Sequence, residues 1–351
     1  MRTHSGIRAR VFVVAIVASA AALALSVRAQ SDVQSTVNAA FTKYQNLQEG
    51  KNADYIPALA RVDPRLFGIA IVTADGRTVT AGDVSTEVSI QSISKVFTMA
   101  RVIQDQGPDA IEKTIGVDAT GMRFNSIISV ELAKKVGGGP ELNPLVNPGA
   151  ITATSMVQGN TSDEVWAKII GTYNDFAGRP LSVLQDVYKS EADTNQRNQA
   201  IGMLMHAYEY IKSNPAQATD LYTRQCSVGV NAKDLANMAA TLAFGGRNPI
   251  TGKQAISAAN VPYVLAVMAT AGLYDDSGKW LYHTGLPAKS GVGGGIIAVS
   301  PGKFGIAVVS PPLDDAGNSV RAQRAIRDIS AALNGNPYAA RPGGPVGTSG
   351  R

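Results

Sequence analysis

The chain has 351 residues, 45% hydrophobic and 17% charged, with 32 Lys and Arg against 27 Asp and Glu. Four of the basic residues (Arg2, Arg8, Arg10 and Arg28) and no acid fall in the first 29 positions, which leaves 28 basic against 27 acidic residues in the remainder. A charge so balanced and so well mixed, with no basic stripe interleaved with aromatics, excludes nucleic acid as a partner.

The chain opens with a basic segment, a short apolar run from Val11 to Leu25, and the small-residue sequence Val27-Arg28-Ala29. That is the layout of a cleavable export signal, and the run is short of the roughly 20 residues that span a bilayer. Residues 1–29 are therefore expected to be removed after Ala29. The mature protein is expected to be periplasmic or secreted, with no membrane association.

Asp32 to about Tyr55 predicts a helix followed by a loop, with Ala39, Phe41, Tyr44 and Leu47 near helical spacing. Phe67 to Thr73 is a buried strand, Asp75-Gly76 a hairpin turn, and Arg77 to Ala81 the return strand. Glu87 to Gln91 is a third, short extended piece. From Ile111 to about Gly272 helical patterns dominate, among them Thr161 to Phe176, Ser182 to Asn214 and Lys233 to Phe244. Gly294 to Ser300 and Lys303 to Ser310 flank the Pro301-Gly302 turn as a second hairpin, and Ala316 to Leu333 is a terminal helix.

Strands near both ends with helices between them predict an α+β fold: an antiparallel sheet built from both chain ends, flanked by helices and carrying an inserted helical lobe. Residues 30–335 form one domain in this reading. From Asn334 onward apolar content is too low to pack, and 336–351 is expected to be a flexible tail.

Ser92-Ile93-Ser94-Lys95 follows a strand-like run and opens the apolar segment Val96 to Ile103. On a helix, Ser92 and Lys95 share a face, where an amine can take the hydroxyl proton; a solvated Ser and Lys at a helix start is the plainer alternative. Lys289-Ser290-Gly291-Val292-Gly293-Gly294-Gly295 is the second signal. Consecutive glycines mean either a tight turn or backbone approaching something closely, here with amides such as that of Val292 aimed at a developing oxyanion.

Asn147 lies in the Pro-punctuated loop Asn143 to Ile151, as either a helix cap or an amide presented to a ligand. Glu191 and Asn198 are seven residues apart, two turns of a helix and hence one face. A carboxylate and an amide so placed suit the ammonium and carboxylate of a free amino acid; a solvated helix surface is the alternative. Tyr222 and Tyr274 sit beside turns or helix ends, where packing is the common role and proton relay a second. Cys226 has no partner for a disulfide and reads as a buried small hydrophobe, while His4, His206 and His283 are too scattered for a zinc site or a His-based triad.

Ser-x-x-Lys early and Lys-Ser-Gly late is the pairing of the serine β-lactamase and penicillin-binding-protein superfamily, although no Ser-Asp-Asn triplet lies between them. Six segments in order resemble the serine-dependent glutaminase family: 55–60, 91–97, 123–127, 143–151, 285–295 and 310–314. The likeness runs over about residues 40 to 333. It implies a β-lactamase-like fold and hydrolysis of L-glutamine to L-glutamate and ammonia through an acyl-enzyme, with no cofactor and no metal.

Carried over by position, the resemblance makes Ser92 the nucleophile and Lys95 its base, with Tyr222 and Tyr274 as active-site tyrosines. It makes Asn147, Glu191 and Asn198 the grip on the amino-acid end, Glu191 meeting the ammonium. The amides of Ser92 and Val292 become the oxyanion hole and Tyr55 a lid residue. Relatives commonly form dimers or tetramers. This chain departs from the family's usual pattern at Gly116 to Gly121, at Pro148 and in the glycines of 136–139. Pro148 removes a backbone donor beside Asn147. A β-lactamase or peptidoglycan peptidase is the competing enzyme class; the missing Ser-Asp-Asn and the amino-acid grip speak against it.

Overall fold

The computed structural model describes residues 32–135 and 142–339. The expected signal segment, the glycines of 136–139 and residues 340–351 of the expected tail lie outside the described residues.

Helix α1 (32–44) and the one-turn α2 (Pro57–Ala60) precede the hairpin β1 (Gly68–Thr73) and β2 (Thr78–Gly82), followed by the short β3 (Val88–Ser89). The helical lobe comprises α3 (Ser94–Gln106), α4 (Pro108–Thr114), α5 (Ile127–Lys135), α6 (Asn147–Met156), α7 (Ser162–Ala177), α8 (Gln185–Ala192), α9 (Gln196–Ala207) and α10 (Pro215–Cys226). Then come β4 (Gly229–Val230), α11 (Ala232–Ala243), α12 (Val261–Ala271), α13 (Ser277–Thr284), β5 (Ala288–Gly291), β6 (Gly295–Ser300), β7 (Phe304–Val309) and α14 (Val320–Ala332).

The main sheet has the order β2-β1-β7-β6-β5, with every neighbouring pair antiparallel. Early and late strands meet at β1 and β7, in the α+β arrangement read from the sequence. Each central strand divides its residues by the pleat. Ala70, Val72, Ile297, Val299, Ala307 and Val309 face the helical lobe. Ile69, Ile71, Ile296, Ala298, Ile306 and Val308 face α1, α13 and α14. Both faces are covered, which is why these strands read as continuous apolar runs rather than alternating ones.

The helix boundaries follow their capping residues. Thr161 caps α7 by accepting from the Glu164 amide at 3.2 Å, and Gly178 ends it at φ 76°. Asn231 and Asp234 form a capping box on α11.

Two expectations need correction. Ser182 to Asn214 is not one helix: it holds α8 and α9, broken at Asp193 to Asn195 and turned so that both ends face the same cleft. The terminal helix starts at Val320 rather than Ala316, because Asp314 Oδ1 accepts from the amides of Ala316 and Asn318 and holds 314–318 as a turn capped by Ser319. The short extended piece expected at Glu87 to Gln91 is β3, which pairs with β4 in a separate two-stranded sheet.

Helix α11 lies directly on the sheet through Gly305 of β7, where an added Cβ would come within 2.0 Å of the Ala240 nitrogen. Gly305→Ala is expected to force α11 off the sheet and cost about 1–3 kcal/mol, read as a lower urea midpoint. An unchanged midpoint would contradict this packing.

Candidate active site

The pair β3–β4 delivers the chain to Ser92. The Ile90 amide donates to Val228 O at 2.8 Å, and a single tight turn, Gln91–Ile93, leads into α3. Four described non-glycine residues have left-handed backbones, and two of them, Gln91 (φ 49°) and Tyr274 (φ 57°), lie here. Such strain concentrates at sites whose surroundings over-determine it.

Ser92 is 6% exposed at the floor of a cleft of about 290 Å³. The cleft brings together Tyr55, Ser92, Asn147, Glu191, Asn198, Tyr222 and Val292 of the residues singled out in the sequence. Lys95 and Tyr274 stand behind its wall, buried. Tyr55, 54% exposed, stands at the mouth.

Asn147 is the hub. Its Oδ1 accepts from Lys95 Nζ at 2.7 Å and from the Tyr222 hydroxyl at 3.1 Å, and its Nδ2 donates to Asn198 Oδ1 at 2.8 Å. Lys95 Nζ also reaches Leu145 O at 3.4 Å. The cap role weighed for Asn147 is ruled out: Val146 occupies the cap position of α6 and the Asn147 side chain points inward. Pro148 stands in the first turn of α6, where a backbone N–H has no intrahelical partner, so the missing donor costs the helix nothing.

Glu191 and Asn198 do converge, though not on one helix. Glu191 is near the end of α8 and Asn198 in the first turn of α9. Asn195 fixes the elbow between them, donating to Thr223 Oγ1 at 2.9 Å and accepting from Gln199 Nε2 at 2.7 Å.

The glycine run makes both a tight turn and a close backbone approach. Gly291 and Gly293 approach the carbonyls of Ile90 and Ser89 so closely that an added Cβ would lie 2.8 and 2.6 Å away, and Gly294 takes φ 95°. The turn, closed by the Gly294 amide on Gly291 O at 2.9 Å, sets Val292 beside Ser92 in the cleft wall. Lys289 is fully buried. Its Nζ donates to Gly272 O at 2.9 Å and Ser290 O at 2.8 Å, and sits 4.0 Å from the centroid of the Tyr274 ring.

Burial governs the charges. Desolvation pulls Lys95 down to about 8, against the attraction of Cys226 and Glu191. It pushes Glu191 up to about 7, opposed by a hydrogen bond from Gln91 and by Lys95. Tyr222 rises well above its usual value for the same reason. Tyr274 is pushed up to about 12, hydrogen bonds with Ser92 and Ser290 opposing its burial. Lys289 falls well below its ordinary value, first through burial and then through repulsion by Lys95.

Sequence reasoning assigned no role to Gln91, Phe124, Asn125 or Arg197. Phe124 packs on Tyr274 with centroids 4.9 Å apart, its carbonyl accepts from the Asn147 amide at 2.7 Å, and Arg197 Nε donates to Asn125 O at 2.9 Å. The quoted segments 91–97 and 123–127 contained three of the four, but nothing local in them distinguishes these residues. Cys226 is buried, 3.8 Å from Ser94 Oγ, so Ser94 contacts the core rather than the cleft. Among the described residues, no three His, Cys, Asp or Glu side chains converge as a metal site requires.

The glutaminase family model matches residues 50–338. A glutaminase of Colwellia psychrerythraea is 53% identical over 309 residues, spanning 88% of this chain and 98% of the relative. One from Brucella canis is 51% identical over 292 residues, 83% and 91% of the two chains. Among solved structures, the probable glutaminase ybaS aligns with TM-score 0.85 at 45% identity, covering 88% of this chain and 99% of its own. A probable glutaminase from Bacillus subtilis complexed with 6-diazo-5-oxo-L-norleucine aligns with TM-score 0.76 at 27% identity, covering 87% and 96%. The architecture is β-lactamase-like, the sheet and lobe are those of these neighbours, and the chain belongs to the glutaminase family.

Proposed function

We propose that this protein hydrolyses L-glutamine to L-glutamate and ammonia through an ester on Ser92. The observation that carries the reading is a recessed serine and a buried carboxylate, Glu191, opening onto one cleft sized for a small molecule. The family relationship supports it.

Lys95 near neutrality is the base. With two N–H groups on Asn147 Oδ1 and Leu145 O, a neutral amine keeps its lone pair for the Ser92 proton. Ser92 Oγ attacks the side-chain carbonyl carbon of glutamine, and the oxyanion forms against the amides of Ser92 and Val292. The proton held on Lys95 returns to the departing nitrogen as the C–N bond breaks, releasing ammonia. Water then adds to the ester, Lys95 taking its proton and restoring it to Ser92 as glutamate leaves.

Glu191 accepts the α-ammonium. Asn198, its Oδ1 engaged by Asn147, offers Nδ2 to the α-carboxylate. Such pairing selects free amino acids and rejects acylated ones, whose nitrogen is neutral.

The assay is ammonia release from glutamine, run beside a chromogenic β-lactam. Glutamine turnover with Ser92→Ala folded by circular dichroism and at least about 10³-fold slower is expected; full activity in that variant, or hydrolysis of the β-lactam alone, would sink the proposal.

Lys95 must be neutral and Glu191 anionic in the free enzyme, so kcat/KM is expected to climb as pH rises through about 7 to 8, the two groups titrating as a pair. Glu191→Gln is expected to raise the KM for glutamine by an amount on the order of 2–5 kcal/mol. It also has a stability signature. The folded pKa of Glu191 lies above its unfolded value, so its burial cost is absent at low pH and fully present above about 7. The variant should therefore gain thermal stability relative to the parent between pH 5 and pH 8. An unchanged KM, or a stability difference that shrinks with pH, contradicts the role.

A further inference from the structure

Gln91 stands immediately before the nucleophile, is 2% exposed, and keeps a left-handed backbone at φ 49° that a glycine would adopt more easily. Its side-chain nitrogen carries two protons and both are used: Nε2 donates to Glu191 Oε2 at 3.1 Å and to Ser89 Oγ at 3.2 Å. One oxygen of the carboxylate is thus tied to the strand that delivers Ser92, which leaves the other to meet a ligand.

We propose that Gln91 is a positioning residue for substrate selection, fixing Glu191 Oε2 so that Oε1 meets the α-ammonium and tying this clamp to the nucleophile's own turn. The inference rests on the glutamine-hydrolysis reading. It also accounts for the strain: φ at Gln91 sets at once the direction of the Ser92 amide and the reach of the Gln91 carboxamide across to α8.

The groups around Glu191 make this donor consequential. Tyr222 and Cys226 from α10 and Tyr55 from the segment before α2 all stand near enough for their ionised forms to repel its charge. Of the side chains acting on Glu191, Gln91 and Lys95 from α3 favour the anion. Without Gln91, burial would be opposed by Lys95 alone, and Glu191 would hold its proton to higher pH.

Two variants separate the side chain from the backbone. Gln91→Met keeps the length and removes the donor, while Gln91→Gly relaxes the left-handed turn and removes the donor. Both are expected to raise the KM for glutamine about 10-fold or more at pH 7, as for loss of a hydrogen bond to a charged group. Gln91→Met, which leaves the turn in place, should hold kcat within about threefold, and in both variants the acid limb of kcat/KM should move to higher pH, so that the deficit narrows at pH 9. Adding Gln91→Met to Glu191→Gln should cost no further affinity, since the two act through one contact.

A loss of kcat with the acid limb unmoved would mean that Gln91 only braces Ser92, and would overturn the proposal; so would a wild-type KM in Gln91→Gly. Should Gln91→Met fail to fold, the glycine variant decides. If Glu191→Gln itself leaves KM unchanged, the underlying reading fails; if Glu191→Gln raises KM and neither Gln91 variant does, this inference alone fails.

Discussion

Desolvating an ammonium and a carboxylate under one cleft costs several kcal/mol per ion unless hydrogen bonds and mutual attraction offset it. Lys95 and Glu191 meet that condition through a shared scaffold of side-chain amides. Asn147 holds Lys95 and Tyr222 on one oxygen and Asn198 on its nitrogen, while Gln91 holds Glu191. The amides carry no charge of their own, so they orient both ions without neutralising either. Neither ion is held deep in its charged form, as the pull of both groups toward neutral pH shows. A stronger salt bridge would bury a more stable pair and leave no neutral amine for the proposed activation of Ser92.

That scaffold needs rigid mountings, and the fold supplies them from distant parts of the chain. Asn147 opens α6, Lys95 belongs to the first turn of α3, Tyr222 to α10, and Glu191 and Asn198 flank an elbow. The opposite wall is the turn after β5, pressed onto the backbone of Ser89 and Ile90 at a distance only glycine permits. A side chain at Gly291 or Gly293 would move Val292 from Ser92, so under the proposed mechanism the close contact sets the geometry of the reaction as well as packing. The same turn joins Ala53, Ile56, Leu59 and Leu313 in a small apolar cluster beneath the segment carrying Tyr55. The cleft's mouth and the wall carrying Val292 thereby share one support.

Local structure was legible in the sequence, and long-range geometry was not. The hairpins, the terminal helix and the glycine turn declare themselves through turn residues and apolar runs, because their causes lie within a few positions. Asn147 stayed ambiguous because cap and ligand both call for an amide beside proline; only the acceptor demands of Lys95, 52 positions away, separate them. Glu191 and Asn198 were paired for the wrong reason. Seven residues is two helical turns, but it is also the span of a tight elbow between two helices, and Asn195 bonding to Thr223 makes it the latter. Gln91 gave no signal, since its partner Glu191 is 100 positions distant and its backbone angle is imposed by what packs around it.

The shared burial of Lys95 and Glu191 also bears on how the proposed reaction would choose its substrate. In the empty cleft each group stabilises the charged form of the other. An arriving α-ammonium would draw Glu191 to its anion and, being a second positive charge, would disfavour a proton on Lys95. The anion on Glu191 favours a proton on Lys95 while the substrate ammonium opposes one, so binding at the recognition end is felt at the amine proposed to activate Ser92. A ligand lacking the ammonium leaves Glu191 closer to its protonated state and Lys95 without that added repulsion. Discrimination would then fall on the chemical step as well as on affinity, because the group proposed to recognise the substrate is electrostatically coupled to the base proposed to activate Ser92.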